Sequence, residues 1–163
     1  MDFTALIQVN SPYLDIGLSK LKKKIDWVKF SDFLTKQKTA LKYFYYFDHF
    51  KEDYRSSSYL LKIENLGFEL IARKLPPTSK PIIKEMLAVE LATDMVLFAF
   101  STKESKKEIT VVCPIRDLRY PMLKVKKTGV KLRLVDFEGK ISKELISLAD
   151  ELITLDDRVD IYL

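Results

Sequence analysis

The hydrophobic pattern of residues 109–139 predicts a buried strand, a helix and a second buried strand. The apolar run 109–113 is followed by a crossover at 114–117, a helix to about residue 128 and a turn at Gly129. A second apolar, β-branched run covers residues 130–135. Apolar strands joined by a helix are typical of parallel pairing in a sheet that is covered on both faces. Active and binding sites in such sheets lie just beyond the carboxyl ends of the strands, so residues 113–117 are the first candidate site.

The same alternation of strands and helices covers the rest of the chain. The pattern predicts strands at 3–9, 41–47 and 68–75, helices at 26–38, 52–66 and 82–101, and a proline-rich loop at 76–81. Pro12 is expected to end the first strand, and Gly67 to adopt the left-handed conformation after a helix. A helix capped by Ser142 and a short edge strand at 151–155 complete the chain. The pattern predicts a three-layer α/β/α sandwich with a mainly parallel central sheet of five to six strands.

Length and composition are those of one folded domain. The 163 residues are 47% hydrophobic and 12% aromatic, which suffices for a core of their own. No linker or repeat divides the sequence, so we predict a single domain over residues 1–163. The single cysteine excludes an intramolecular disulfide and a thiolate zinc site, and it is typical of a reducing compartment. The single histidine excludes a His-rich metal site.

Charge narrows the class of partner. The chain carries 28 Lys and Arg against 23 Asp and Glu, and this +5 balance favours an anionic partner such as nucleic acid. The charge-free apolar run 95–100 is far shorter than the ~20 residues of a membrane span, so none is expected. The start, MDFTALIQV, lacks the features of a secretory signal, and we expect a cytoplasmic protein. The four glycines are too far apart for a dinucleotide or Walker-type NTP loop.

Three groups of polar residues leave alternatives open. The lysine-dense segment 15–24 fits a solvated loop or helix face, or a patch that contacts phosphate. His49 follows a predicted strand, where it either caps the surface or reaches a site. Glu90 and Asp94 lie one helical turn apart and repel each other unless a cation relieves them. Their face meets solvent or an arginine from elsewhere, or it binds a metal or a basic ligand.

Five segments spread over nearly the whole chain carry a family resemblance. Two segments, IDWVKFSDFL and YFYYFD, resemble the first helix and the second strand of the NYN domain. Two more resemble later parts of that domain, namely LLKIENLGFELIARKL, its helix-glycine-strand hinge, and LAVELATDM, its long central helix. GVKLRLVDFEGKISKELISLADELITLDD resembles its C-terminal signature, which is the most specific of the five matches. The chain is therefore similar to the LabA-like branch of NYN domains within the PIN-like nuclease superfamily.

The resemblance implies a metal-dependent ribonuclease whose acids are only partly kept. In the family, carboxylates from the first strand, the central helix and the loop after the fourth strand hold Mg²⁺ or Mn²⁺, which activates water and neutralises the phosphodiester. The first-strand acid is matched by Gln8, and the first helix acid by Leu87 or Ala88. The later helix acid is matched by Asp94. The family's acidic motif in the loop after the fourth strand is matched by Cys-Pro-Ile-Arg-Asp at 113–117. Only the last acid of that motif is kept, as Asp117.

These matches define the expected site. Asp94 and Asp117 are the expected catalytic and metal-binding acids, and Glu90 is the first substitute metal ligand. Two further stand-in acids are Glu85 and Asp48. The residues expected to bind substrate are Asn10, Ser11, Arg116, Arg119 and Lys124. Two carboxylates can hold one cation loosely, and a neighbouring arginine competes with that cation.

Three functions remain open at this point. The favoured one is an NYN/PIN-like domain with a degraded acidic site that binds single-stranded RNA or serves as an interaction module, with weak or no nuclease activity. The second is an active ribonuclease that uses Mg²⁺ or Mn²⁺ on Asp94, Asp117 and a substitute acid. The third is a structural or assembly protein without a nucleic-acid ligand. A homo-oligomer is compatible with each of them.

Overall fold

The computed structural model describes residues 3–36, 38–49, 57–74 and 87–163. The predicted loop at 76–81, the first residues of the predicted helices at 52–66 and 82–101, and Glu85 lie outside the described residues.

A six-stranded parallel sheet forms the centre of the molecule. The strands are β1 Phe3–Asn10, β2 Lys38–His49, β3 Glu69–Lys74, β4 Lys107–Val112, β5 Lys131–Asp136 and β6 Glu151–Thr154. Their order across the sheet is β3-β2-β1-β4-β5-β6, and every neighbouring pair is parallel. The parallel α/β architecture predicted from the apolar runs is therefore confirmed.

Helices cover both faces of the sheet. They are α1 Ser11–Leu21, α2 Trp27–Thr35, α3 Ser58–Asn65, α4 Leu87–Ser101, α5 Arg119–Lys126 and α6 Lys143–Ile146. Helices α1 to α3 pack on one face, and α4 to α6 pack on the other. In β1, Leu6 points into the core under α4, whereas Ile7 and Val9 point into the core under α1 and α2. Both faces of the strand are apolar because both are covered.

Local sequence rules account for several element ends. Gly67 has a φ of 99°, as predicted for the residue that ends α3. The Ser142 hydroxyl accepts a hydrogen bond of 3.4 Å from the backbone N–H of Leu145, which confirms the predicted cap. Pro12 lies in the first turn of α1, where its missing N–H leaves no helical bond unmade. It therefore begins a helix as well as ending a strand, and the lysine-dense segment forms most of that helix.

Three predicted boundaries are wrong. The helix predicted over 26–38 ends at Thr35, because the following residues join the longer strand β2. The C-terminal helix ends at Ile146 instead of residue 149. Cys113 is not part of β4, since its φ of 58° is left-handed and incompatible with a strand.

No helix within the described ranges combines the length and the hydrophobicity that a membrane span requires. The longest of these helices, α4, has 15 residues.

A candidate site at the carboxyl edge of the sheet

The chain reverses direction across the sheet between β1 and β4. Helix α1 follows β1 on one face, whereas α5 follows β4 on the opposite face. The two connections therefore separate and leave a crevice beyond the carboxyl ends of these neighbouring strands. Asn10 ends β1 at this point, and Cys113 comes directly after β4.

The floor of the crevice is a set of short hydrogen bonds between strand ends. The Asn10 side-chain amide donates to the Cys113 carbonyl at 3.0 Å, and the Cys113 N–H donates to the Val135 carbonyl at 2.7 Å. Asn10 is buried, and its side-chain oxygen has no hydrogen-bond partner among the described residues. The left-handed backbone of Cys113 is uncommon for a residue with a side chain and is held by these bonds. The floor therefore contains one buried acceptor, the Asn10 side-chain oxygen, that no described residue uses.

Asp136 adds a buried carboxyl group at the end of β5. One carboxyl oxygen accepts from the Phe137 N–H at 2.7 Å. Burial raises the pKa of Asp136 to about 6, although the bonds from Phe137 and the Cys113 thiol and the charge of Lys140 act in the opposite direction. Burial also raises the pKa of the Cys113 thiol. The thiol is therefore protonated at neutral pH and is not an activated nucleophile.

A pocket of about 300 Å³ opens beside this carboxyl group. Among the described residues, its wall carries three cationic side chains, Lys20 from α1, Arg116 after β4 and Lys140 after β5, and one acid, Asp136. The remaining lining residues are Tyr13, Ile16, Gly17, Pro114, Ile115, Phe137 and Ser142.

Gly17 sets the shape of this pocket. A Cβ atom at that position would lie 2.0 Å from the Phe137 ring, so only glycine lets the ring lie against α1. The pocket wall therefore depends on a residue without a side chain.

The position of the expected first-strand acid is occupied by a hydrogen-bonded amide. The Nε2 of Gln8 donates to the Tyr46 hydroxyl and to the Leu91 carbonyl, both at 2.9 Å. The Tyr46 hydroxyl donates in turn to a carboxylate oxygen of Asp94 at 2.7 Å. Burial raises the pKa of Tyr46, so the hydroxyl keeps the proton that it donates. Gln8 and Asp94 are thus connected through a tyrosine.

The substitute acids Asp48 and Glu90 lie close enough for their charges to interact, and Asp48 forms an ion pair with Arg73. A carboxylate oxygen of Asp48 accepts from the Arg73 guanidinium at 3.0 Å and 2.9 Å. Burial raises the pKa of Asp48, and the charge of Glu90 acts in the same direction, so the two acids interact. One carboxylate oxygen of Glu90 is buried and has no hydrogen-bond partner among the described residues.

The other predicted site residues lie at the surface of the molecule, with the exception of the buried Ser11. Asp117 is exposed on a short 3-10 helix, Arg116–Leu118. The Arg116 guanidinium lies 3.3 Å from a Glu144 carboxylate oxygen, and both side chains are substantially exposed. The Lys124 ammonium lies 5.1 Å from the centroid of the Tyr120 ring. Arg119 is exposed at the start of α5, and Ser11 is buried at the start of α1.

The predicted residues therefore fall into separate surroundings. Arg116 lines the pocket, Asp94 belongs to the tyrosine network, and Asp117 faces solvent. Over the described ranges, no three His, Cys, Asp or Glu side chains are grouped so that they could hold a metal ion.

Sequence reasoning missed two charged residues of this pocket, Lys140 and Asp136, and it included Lys20 only in the lysine-dense segment 15–24, with phosphate contact as one of two alternatives. The sequence did contain a signal for Asp136. This acid ends the strand KLRLVD directly after its apolar residues, so it had to lie at the carboxyl edge of the sheet. Lys140 gave no comparable signal, since nothing local distinguishes it from the other surface lysines.

Comparisons with known proteins agree with this architecture. The family model of the NYN domain matches residues 6–156. The crystal structure of VPA0982, a protein of unknown function from Vibrio parahaemolyticus, superposes with a TM-score of 0.81 at 16% sequence identity. The match covers 99% of this chain and 97% of that one, and at this identity it shows a common fold. No curated protein matches the sequence.

Proposed function

Because the chain belongs to the NYN domain family, a PIN-like nuclease family, we propose that it binds single-stranded RNA at the carboxyl edge of the sheet, with weak or no nuclease activity. The observation that carries this proposal is the wall of the edge pocket, where Lys20, Arg116 and Lys140 line the same cavity as one acid, Asp136. Basic side chains fix the path of a nucleic-acid backbone by contacting its phosphates.

The charges of the pocket support phosphate binding in two ways. The surface pair between Arg116 and Glu144 is exposed, and such pairs contribute little, so the guanidinium can turn to a phosphate. The pKa of Asp136, raised to about 6, brings its protonated form closer to neutral pH and weakens its repulsion of an anion.

The surroundings of the acids support low catalytic activity. A hard cation such as Mg²⁺ requires several oxygen ligands, and two-metal hydrolysis requires more. Gln8 supplies an amide whose N–H bonds are used by Tyr46 and Leu91. Asp94 accepts from Tyr46, and Asp117 lies on the exposed rim. These donors do not fit a two-metal site.

One observation favours the alternative of an active ribonuclease. Glu90 has a buried carboxylate oxygen without a described partner, and its charge acts on Asp48. An acid of this kind is a reasonable ligand for a single Mg²⁺ or Mn²⁺ ion together with Asp94. We therefore retain the alternative as the outcome that the cleavage assay below tests.

The C-terminal segment supports a finer placement in the LabA-like branch. The segment forms β5, a turn at Gly139, the Ser142-capped helix α6 and β6. Asp150 stabilises it, because its carboxylate accepts from the Leu132 N–H at 2.7 Å. We propose that this arrangement is the structural basis of the branch signature.

RNA binding is tested by titrating a short single-stranded RNA over a salt series. We expect log affinity to fall with log salt by about 0.7 per neutralised phosphate. Lys20→Gln and Lys140→Gln should each reduce the slope by about 0.7, the contribution of one phosphate contact, because both side chains line the pocket. Lys103→Gln, at an exposed position before β4, is the matched control and should change neither slope nor affinity. Absence of binding at low salt would favour the assembly function.

Catalysis is tested by incubating the same RNA with Mn²⁺ or Mg²⁺. We expect little or no cleavage by the wild-type chain. Cleavage that disappears in Asp94→Asn and Asp117→Asn would establish the active ribonuclease instead. Cleavage that persists in both variants would indicate a contaminating nuclease.

A further inference from the structure

A second basic pocket lies at the opposite, amino edge of the sheet. It has a volume of about 360 Å³ and lies between the end of α2, the starts of β2, β5 and β6, and the residues before the 3-10 helix Val159–Ile161. Its lining consists of Phe33, Lys36, Lys38, Lys131, Arg133, Glu151, Ile153 and Arg158. Neither the family resemblance nor the carboxyl-edge site accounts for this concentration of cations.

Arg133 is the central residue of the amino-edge pocket. Only 7% of its surface is exposed, and its Nε atom is buried without a hydrogen-bond partner among the described residues. The Glu151 carboxylate lies 3.9 Å from this Nε, which is too far for a hydrogen bond. A buried guanidinium is normally paired, because an unpaired buried cation is strongly unfavourable. The ion pair with Glu151 balances its charge but leaves the Nε donor unused, which points to an acceptor that none of the described residues supplies.

An aromatic ring holds two guanidinium groups in place. The Cζ atom of Arg158 lies 4.0 Å from the centroid of the Phe33 ring, and that of Arg133 lies 5.0 Å from it. Cation-π contacts of this kind orient the groups before any ligand arrives. The two planar forks are thus fixed beside one cavity.

The carboxylates around the pocket balance only part of its charge. The Glu108 carboxylate pairs with Lys38 and Lys131, and Asp160 accepts from Arg158 at 2.8 Å. Together with Glu151, three carboxylates among the described residues face the five cations of the lining, which leaves two positive charges within that part of the chain. An anion of about two charges would neutralise the pocket.

We propose that the amino-edge pocket binds a phosphomonoester group. Such a group carries about −1.5 to −2 charges at neutral pH and three acceptor oxygens, which matches the excess charge and the unused donor. A planar guanidinium group donates two parallel hydrogen bonds to a pair of phosphate oxygens. A single carboxylate partner would leave more of the guanidinium donors of this pocket without an acceptor. The phosphate comes from a free nucleotide or from the 5′ end of an RNA strand.

The test compares ligands that differ only in the phosphate. Uridine 5′-monophosphate and uridine are titrated by calorimetry at low salt, followed by the same short RNA with and without a 5′ phosphate. We expect the monophosphate to bind and uridine not to bind. Tighter binding of the RNA with a 5′ phosphate than of the RNA without it assigns the phosphate to an RNA end, whereas equal binding of the two RNAs, with binding of the monophosphate, assigns it to a free nucleotide.

Variants locate the binding. Lys36→Gln and Arg158→Gln should each weaken monophosphate binding about tenfold, since each removes one charge-assisted contact. Lys29→Gln, on the exposed side of the same helix α2, is the matched control and should bind as wild type. Lys140→Gln, in the carboxyl-edge pocket, should also leave monophosphate binding unchanged, which separates this site from the proposed RNA groove.

Two results would overturn the proposal. One is equal binding of uridine and its monophosphate, or no binding of either. The other is wild-type affinity in both Lys36→Gln and Arg158→Gln while their circular dichroism shows the native fold.

Discussion

The two edges of one sheet bury their polar side chains in different ways. At the carboxyl edge the buried side chains of β1 are the neutral amides Gln8 and Asn10. At the amino edge the buried side chains are the ions Lys107, Glu108 and Arg133. The same fold therefore uses hydrogen-bonded amides in β1, beside the buried carboxyl group of Asp136, at one end and a network of ion pairs at the other.

At the amino edge, here called the ionic edge, the buried charged side chains neutralise one another. The fully buried Glu108 carboxylate lies 2.5 Å from the Lys38 ammonium and 3.6 Å from that of Lys131. The Lys107 ammonium donates to the Ala99 carbonyl at 2.7 Å. A buried network of this kind is sensitive to the loss of one member, because the partner charges remain buried and uncompensated.

The amide edge connects elements without adding charge. Gln8 reaches the Leu91 carbonyl of α4, and Asn10 reaches the Cys113 carbonyl after β4. Both side-chain oxygens lack a described partner. The cations of this edge lie on its rim, where they can meet an external anion, so the edge is tolerant of neutral changes and intolerant of added charge.

The largest effect is expected from removing the acid of the ionic edge. Glu108→Gln should lower the free energy of unfolding by about 3–5 kcal/mol, because it leaves the buried Lys38 ammonium without a counter-ion. Urea unfolding at neutral pH measures this loss.

The matched control is Glu151→Gln at the same edge. Its carboxylate is 42% exposed, and its loss should change stability by about 1 kcal/mol or less. Equal effects of the two substitutions would show that burial does not distinguish the two acids.

The second-largest effect is expected when a charge is added among the buried amides of the carboxyl edge. Gln8→Glu places a carboxylate beside the Tyr46 hydroxyl and near Asp94, in a fully buried position. We expect a loss of about 3 kcal/mol at pH 7. The loss should shrink as the pH falls and the new acid is protonated, because its pKa is raised by burial.

Metal ions sharpen this second test. If Mn²⁺ restores much of the lost stability of Gln8→Glu, the acids around Asp94 can still form a metal site once the first-strand acid returns. Gln8→Met is the neutral control, and its stability should not respond to Mn²⁺. A wild-type stability of Gln8→Glu at pH 7 without metal would contradict the description of this edge as neutral.

Most of the fold could be predicted because its signals are local. The apolar runs of β4 and β5, the left-handed Gly67 and the Ser142 cap each follow from a few neighbouring residues. The extent of α1 was missed, since its lysine-rich sequence resembles a solvated connection and its buried side comes from only a few residues.

The polar interior could not be predicted because its partners are distant in sequence. Glu108 and Lys38 are 70 positions apart, and the contact of Gln8 with Leu91 spans 83 positions. A local pattern treats a charged residue at the start of a strand as exposed, and only the register of neighbouring strands shows that it is paired. The position of the candidate site was accessible from topology, whereas the partners of each acid were not.

The smallest effect concerns Asp136, a titratable acid buried at the pocket of the carboxyl edge. Its pKa is raised from 3.8 to about 6, so between these values the folded chain binds more protons than the unfolded chain. The stability that this group contributes is greatest below pH 4 and falls as the pH rises to about 6. Asp136→Asn removes this dependence, because an amide oxygen can still accept from the Phe137 N–H without becoming charged.

We therefore expect the stability difference between Asp136→Asn and wild type to increase in favour of the variant by about 2 kcal/mol from pH 4 to pH 7. Thermal unfolding of both proteins across this range measures the difference, and other acids cancel because both chains carry them. A difference that is constant with pH would show that Asp136 has an ordinary pKa. The carboxyl edge would then hold a full negative charge beside Lys140, and its preference for an anionic strand would rest on the rim cations alone.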